Sequence, residues 1–180
     1  GALPGSRAVV FTNNDSAYSA AFDLQDAGVE IAAIVDLRTG GASAQRARER
    51  QIKVFDNHVV FDTEGAKKVR AVRVCALAAD GESLSGSATK IDCDLLGVSG
   101  GWNPNVQLHA QSRGTPRYDG EKACFLPGNP VQNERSAGSC NGTFDTITCL
   151  AEGLAAGAQA AQKAGCGDGT VIGDLPAAEP

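Results

Sequence analysis

The sequence contains no methionine, opens on Gly1, and has a single tryptophan and two histidines. Without a methionine it reads as a piece of a longer protein. No apolar run approaches the roughly 18 residues of a membrane span, and no basic-then-apolar stretch opens it as a secretory leader would. A membrane partner is not expected. Nor is there a basic excess: 16 Lys and Arg stand against 21 Asp and Glu, for a net charge of −5. Such a chain would displace few phosphate counterions, so nucleic acid is not an expected partner either. The six cysteines form no C-x-x-C pair, which leaves a redox dithiol or zinc knuckle without support. They read as buried free thiols of a reducing compartment, and the chain as cytoplasmic. His58 and His109 have no metal-ligand spacing; His58 is expected to line a hairpin and His109 to lie at the surface. No G-x-S-x-G elbow, phosphate-binding Walker loop or metalloprotease helix occurs, so no catalytic residue is expected in this chain.

What is there suffices for a core. Of 180 residues, 42% are hydrophobic and 21% charged, enough for one domain, or one with an appendage. The acidic excess falls wholly in residues 91–180, which carry 10 acidic and 5 basic side chains. Arg7 to Phe11 is a short apolar run of strand type. Asp15 to Ala27 is expected to be helical, with Ala17, Ala20, Ala21, Leu24 and Ala27 on one face and Gly28 as the stop. Val29 to Val35 is apolar on both faces, as in a buried parallel strand, and ends in Asp36. Strand, helix and strand within some thirty residues make a βαβ unit.

A short charged helix (Ala42 to Arg50) and a third strand (Ile52 to Phe55) follow. His58–Thr63 and Lys68–Leu77 then alternate apolar and polar around a Glu64-Gly65 turn, an antiparallel hairpin. Thr89 to Asp92 adds a further short strand, and Cys93 to Val98 is apolar again before Ser99-Gly100-Gly101. From Trp102 to Asn141 periodicity fades, with short strand candidates near Arg117-Tyr118 and Ala123 to Phe125. So long an irregular span suggests backbone ordered by neighbours outside this chain. Phe144 to Ala164 reads as an Ala-rich helix, and Gly165 to Pro180 as a linker.

The first βα turn, Thr12-Asn13-Asn14-Asp15-Ser16-Ala17, occupies the place of the G-x-G-x-x-G/A dinucleotide fingerprint. Thr12 and Asn14 stand where the leading glycines belong, and Ala17 matches the last position. Asn tolerates a left-handed backbone, while Asp15 puts negative charge where phosphate would lie. The turn is either a pyrophosphate cradle or a helix cap made by Asp15 or Asn14. Asp36 follows Thr12 by 24 residues, near the spacing of the acid that holds a ribose 2′-hydroxyl and favours NAD. Arg38 argues instead for a 2′-phosphate.

Three segments carry a resemblance: Val9 to Tyr18, Val35 to Arg38, and Cys93 to Pro104 with its S-G-G-W-N-P loop. With Pro127-Gly128, Ser136 to Gly142 and Cys149 to Gly153, they resemble the alpha subunits of heterotetrameric sarcosine oxidases over about residues 7–165. The resemblance implies a domain like the NAD-type domain of pyridine nucleotide–disulfide oxidoreductases, inserted in another nucleotide domain. The expected fold class is α/β: a Rossmann-like parallel sheet with an antiparallel meander, then a partly irregular C-terminal segment and the Ala-rich helix. Residues 1–98 would form the nucleotide-binding-type domain. Residues 99–165 would be the return segment, with Gly100-Gly101 as the crossover and the helix packed on the absent first domain. Residues 166–180 would lead to a folate-binding domain.

The whole complex, by this resemblance, oxidises sarcosine to glycine. NAD is then the alpha-subunit cofactor, FAD and FMN lie elsewhere in the complex, and the partners are the other subunits, the rest of the alpha chain and a small-molecule dinucleotide. The candidate cofactor-binding residues are Thr12, Asn13, Asn14, Ser16, Ala17, Asp36, Arg38, Gly100 and Gly101. The alternative is a ligand-free module that docks neighbouring domains and subunits.

Overall fold

The computed structural model describes residues 2–171 and 173. The chain divides into two compact units, one ending at Gly101 and the other beginning at Trp102.

In the first unit the order is β1 (Arg7–Thr12), α1 (Ser16–Asp26), β2 (Glu30–Asp36), α2 (Ala42–Glu49) and β3 (Val54–Asp56). Three antiparallel strands follow, β4 (His58–Gly65), β5 (Val69–Leu77) and β6 (Leu84–Asp92), and then β7 (Leu95–Ser99). β1, β2, β3 and β7 form a parallel sheet in the order β3-β2-β1-β7, and β4-β5-β6 a separate meander. This is the expected Rossmann-like sheet with an inserted meander. Along β1 the side chains alternate between two cores. Ala8 and Val10 join Ile34, Ala17, Tyr18, Ala21, Phe22, Ala44 and Ala47 on the helix side. Val9 joins Val35, Val72, Val74 and Cys93 on the meander side. A strand buried on both faces has no polar alternation, hence the continuous apolar run of β2.

Four local details differ from the sequence expectation. The buried stripe of α1 is Ala17, Tyr18, Ala21 and Phe22, while Ala20 and Ala27 are exposed. The two aromatic rings, four residues apart, take the core-facing side that a count of alanines had centred elsewhere. The β4–β5 turn is Ala66 to Lys68, and Gly65 ends β4 at φ +141°; a Cβ there would stand 2.0 Å from the Lys68 carbonyl oxygen. β6 spans nine residues, because its exposed polar first half pairs with β5 without any apolar signature. β3 starts two residues later than expected, at Val54. The stop of α1 is as expected: Gly28 at φ +93° donates to the Gln25 carbonyl at 2.9 Å and Val29 donates to that of Leu24 at 2.9 Å, the paired bonds of a Schellman cap.

The second unit holds α3 (Gln107–Gln111), the hairpin β8 (Arg117–Asp119) and β9 (Cys124–Leu126), a 3-10 turn at Gly138–Asn141, and α4 (Thr146–Lys163). Asp145 caps α4 by accepting from the Thr148 amide at 2.8 Å. No residue of this 18-residue helix is buried. Part of the expected linker, Ile172 and residues 174–180, lies outside the described residues. The six cysteines are free thiols; Cys75, Cys93 and Cys124 are buried, Cys140 and Cys149 half-buried, and Cys166 exposed. Among the described residues no helix is long and apolar enough to cross a membrane, and no cluster of metal-ligating side chains occurs.

Candidate functional site

The parallel pairing aligns the carboxyl ends of all four strands. Thr12 of β1 stands beside Asp36 of β2 and Ser99 of β7, and Asp36 stands beside Asp56 of β3. β1 is followed outward by β2 and β3 on one side and by β7 on the other. The chain therefore departs from β1 in both directions, which makes the crevice above the ends of β1 and β7 the switch point of the sheet. Asn13, Asn14 and Ser16 follow the end of β1 at this place, with Thr12 and Ala17 buried beneath them. Gly101 lies close by: a Cβ on it would stand 3.5 Å from Asn13 Oδ1. Gly100 makes no comparable approach.

The turn is organised by its own side chains. Thr12 is buried, and its hydroxyl accepts from the Asn14 amide and donates to the Asn14 carbonyl, both at 3.0 Å. The Asn14 amide group donates to Ser99 Oγ at 2.9 Å and to the Ser99 carbonyl at 3.2 Å. Its Oδ1 accepts from the Ser16 hydroxyl at 2.6 Å. Asn14 thus ties the β1–α1 turn to the end of β7, with two side chains in place of two glycines. Asp15 occupies the N-cap position of α1 but makes no capping bond. Its carboxylate accepts from Arg38 Nη2 at 2.7 Å instead. The amino end of the 11-residue α1 therefore has no side-chain cap and turns the positive end of its dipole to the crevice.

Asp36 is 1% exposed, and both of its oxygens are engaged. Oδ1 accepts from the Arg38 backbone amide at 2.9 Å and from Arg38 Nε at 3.1 Å. Oδ2 accepts from the Tyr18 hydroxyl at 2.8 Å and Arg38 Nη2 at 3.0 Å. Burial first, then the bond to Asp36 and its charge, push the Tyr18 phenol well above its ordinary pKa. The bond to Asp36, aided by Asp15, holds Arg38 firmly protonated against the opposing effect of burial. One guanidinium therefore bridges the end of β2 to the start of α1 across the mouth of the turn. Asp56 ion-pairs with Arg48, while its Oδ1 is buried without a hydrogen-bond partner among the described residues.

This arrangement offers an anion a helix end and a ribose a carboxylate. A dinucleotide fits the place and the donors. The carboxylate can accept from a ribose only after Arg38 releases one of its oxygens. The structure joins Thr12 and Asn14 in one polar clasp and Asp36 and Arg38 in another, and Ser99 and Tyr18, which the sequence reading did not single out, complete them. Tyr18 was available from its spacing, since residue i+1 of a buried Ala17 shares the stripe with i+5. His109 also differs from the expectation. It is buried, not at the surface, with Nδ1 2.7 Å from Glu134 Oε1 and Nε2 accepting from the Gly128 amide at 3.1 Å.

No family model matches the chain. It is 39% identical over 168 residues, 92% of its length, to the sarcosine oxidase subunit alpha of Corynebacterium sp. (strain P-1). It is 32% identical over 155 residues to that of Rhizobium meliloti (strain 1021). The chain belongs to the sarcosine oxidase alpha-subunit family. It spans 17% of the corynebacterial relative's length and 15% of the rhizobial one. Among solved structures, thioredoxin reductase of T. acidophilum aligns with a TM-score of 0.58 and 21% identity, over 87% of this chain and 50% of that one. A HOCl-induced flavoprotein disulfide reductase of Escherichia coli aligns with a TM-score of 0.57 and 11% identity, over 89% and 36%. These two carry the fold alone. They show that this member of the alpha-subunit family shares the fold of these two proteins.

Proposed function

We propose that this chain provides a dinucleotide-binding domain and a return segment to the alpha subunit of a cytoplasmic sarcosine oxidase, whose complex oxidatively demethylates sarcosine to glycine. The ligand of the domain is NAD, held in the crevice between β1 and β7. The observation that carries this reading is the uncapped amino end of α1 at the switch point, one strand away from Asp36. The amides opening α1 would receive the pyrophosphate, with Asn13, Asn14 and Ser16 lining it and Gly101 allowing close approach. Thr12 and Ala17 fix the turn and helix from beneath. Asp36 and Arg38 would take the adenosine ribose, and Gly100 leads the chain away from the crevice. The role of the domain is to bind and orient; hydride chemistry belongs to NAD, and amine oxidation to FAD and FMN elsewhere in the complex. Titrating the intact chain with NAD while recording amide shifts tests this. Saturable shifts at residues 12–17 and 36–38 are expected, and their absence at millimolar ligand rejects the site.

A second reading is favoured by α4, none of whose residues is buried, and by the exposed pair Tyr118 and Phe125 on the β8–β9 hairpin. On this reading the second unit docks the rest of the alpha chain and neighbouring subunits, with or without nucleotide in the first. Slow amide exchange along α4 in the assembled complex, against fast exchange in the intact chain alone, is its expected signature.

A further inference from the structure

Resting on the dinucleotide reading above, we infer that Asp15 is a specificity-determining residue that rejects a 2′-phosphorylated dinucleotide by holding Arg38 in a doubly paired bridge. Arg38 is paired with Asp36 at the ribose end of the crevice, and by itself would attract a 2′-phosphate. It is not available by itself. Asp36 holds its Nε and Nη2, and Asp15 holds Nη2 at 2.7 Å. The trio carries one positive and two negative charges. The Asp15 side chain is 66% exposed, so its charge faces the path of an incoming ligand, whereas that of Asp36 is 1% exposed and held inside by Tyr18. A 2′-phosphate carries about −1.5 to −2 charge at neutral pH. It would have to draw Arg38 from Asp15 and then remain beside the released carboxylate. A 2′-hydroxyl, uncharged, needs Arg38 to release only one oxygen of Asp36 and can leave the Asp15–Arg38 pair in place. Asp15 makes no capping bond to α1, so its position in the turn is explained by Arg38, not by the helix.

The test is an amide-shift titration of the intact chain with NAD and with NADP, on the wild type, on Asp15→Asn, and on Asp15→Asn combined with Arg38→Ala. Asn serves as well as Asp at an N-cap position, and the site is exposed, so the fold should be retained. The wild type is expected to favour NAD. Asp15→Asn should strengthen NADP binding about 10- to 30-fold, the effect of removing one unit charge about 4 Å from a phosphate of about −1.5 to −2 in water-like surroundings, and leave NAD within about twofold. Removing Arg38 as well should weaken NADP again relative to Asp15→Asn, because the freed guanidinium is then missing. An unchanged NADP-to-NAD ratio in Asp15→Asn, equal weakening of both ligands, or a wild type that already favours NADP overturns the assignment of Asp15. If neither nucleotide shifts residues 12–17 or 36–38 in any variant, the crevice reading itself falls, and the assignment with it.

Discussion

The two units of this chain are stabilised in different ways. Residues 7–101 bury two aliphatic layers against one parallel sheet, and every strand of that sheet contributes side chains to at least one layer. Residues 102–171 bury few side chains, Pro104, His109, Cys124 and Leu126 among them, and α4 buries none. There order rests on polar nodes. His109 joins α3 to Glu134 and Gly128, with Gly114 packed so tightly on its ring that a Cβ would come within 2.2 Å. Glu152 accepts from the Gly138 amide at 2.8 Å and from the Thr143 hydroxyl, fixing the 3-10 turn onto α4. A layered core tolerates isolation, whereas a segment held by buried hydrogen bonds depends on each of them.

The largest expected break in this comparison comes from the core. Ile34→Ala removes a fully buried side chain from the helix-side layer and should cost about 2–5 kcal/mol. Leu150→Ala, on the half-exposed stripe of α4, should change stability by less than about 0.5 kcal/mol. Denaturant unfolding followed by amide signals from each unit would read both effects. His109→Leu comes next. It fills the space but leaves the Gly128 amide without its acceptor, at a cost of about 1–3 kcal/mol. Loss of amide protection should be confined to residues 102–171 in hydrogen exchange. Tyr18→Phe removes the neutral donor from Asp36 Oδ2 and should cost about 1–2 kcal/mol, seen only in the first unit.

The smallest effect is a pH dependence. The Thr143 hydroxyl, then the Gly138 amide, hold the Glu152 carboxyl below its ordinary value. A group whose folded pKa is depressed stabilises the fold above its unfolded pKa and loses that contribution as pH falls through the folded one. The second unit should therefore weaken on acidification below the ordinary glutamate range, and Glu152→Gln should flatten that limb. Acid titration of the Gly138 and Asn141 amide shifts in both proteins would check it.

The same contrast decided what could be read from the sequence. β1, α1, β2 and the hairpin were legible because burial on one or two faces imposes a period, and Gly28 marks a stop with its own backbone conformation. Asp36 was legible by its distance along the chain from Thr12. Its saturation was not, since Tyr18 and Arg38 reach it only once α1 lies on β2. The first half of β6 was hidden because Leu84 to Ala88 are exposed and carry no alternation. α3 was missed because five residues give too short a window for a helical period, and the burial of His109 went with it.

A crystal structure of the intact chain grown with millimolar NAD tests the central claim most directly. The pyrophosphate should lie on the amides that open α1, with a ribose hydroxyl on Asp36 and Arg38 released from one oxygen of that carboxylate. An unchanged Asp15–Arg38–Asp36 bridge with no nucleotide above β1 and β7 would contradict it.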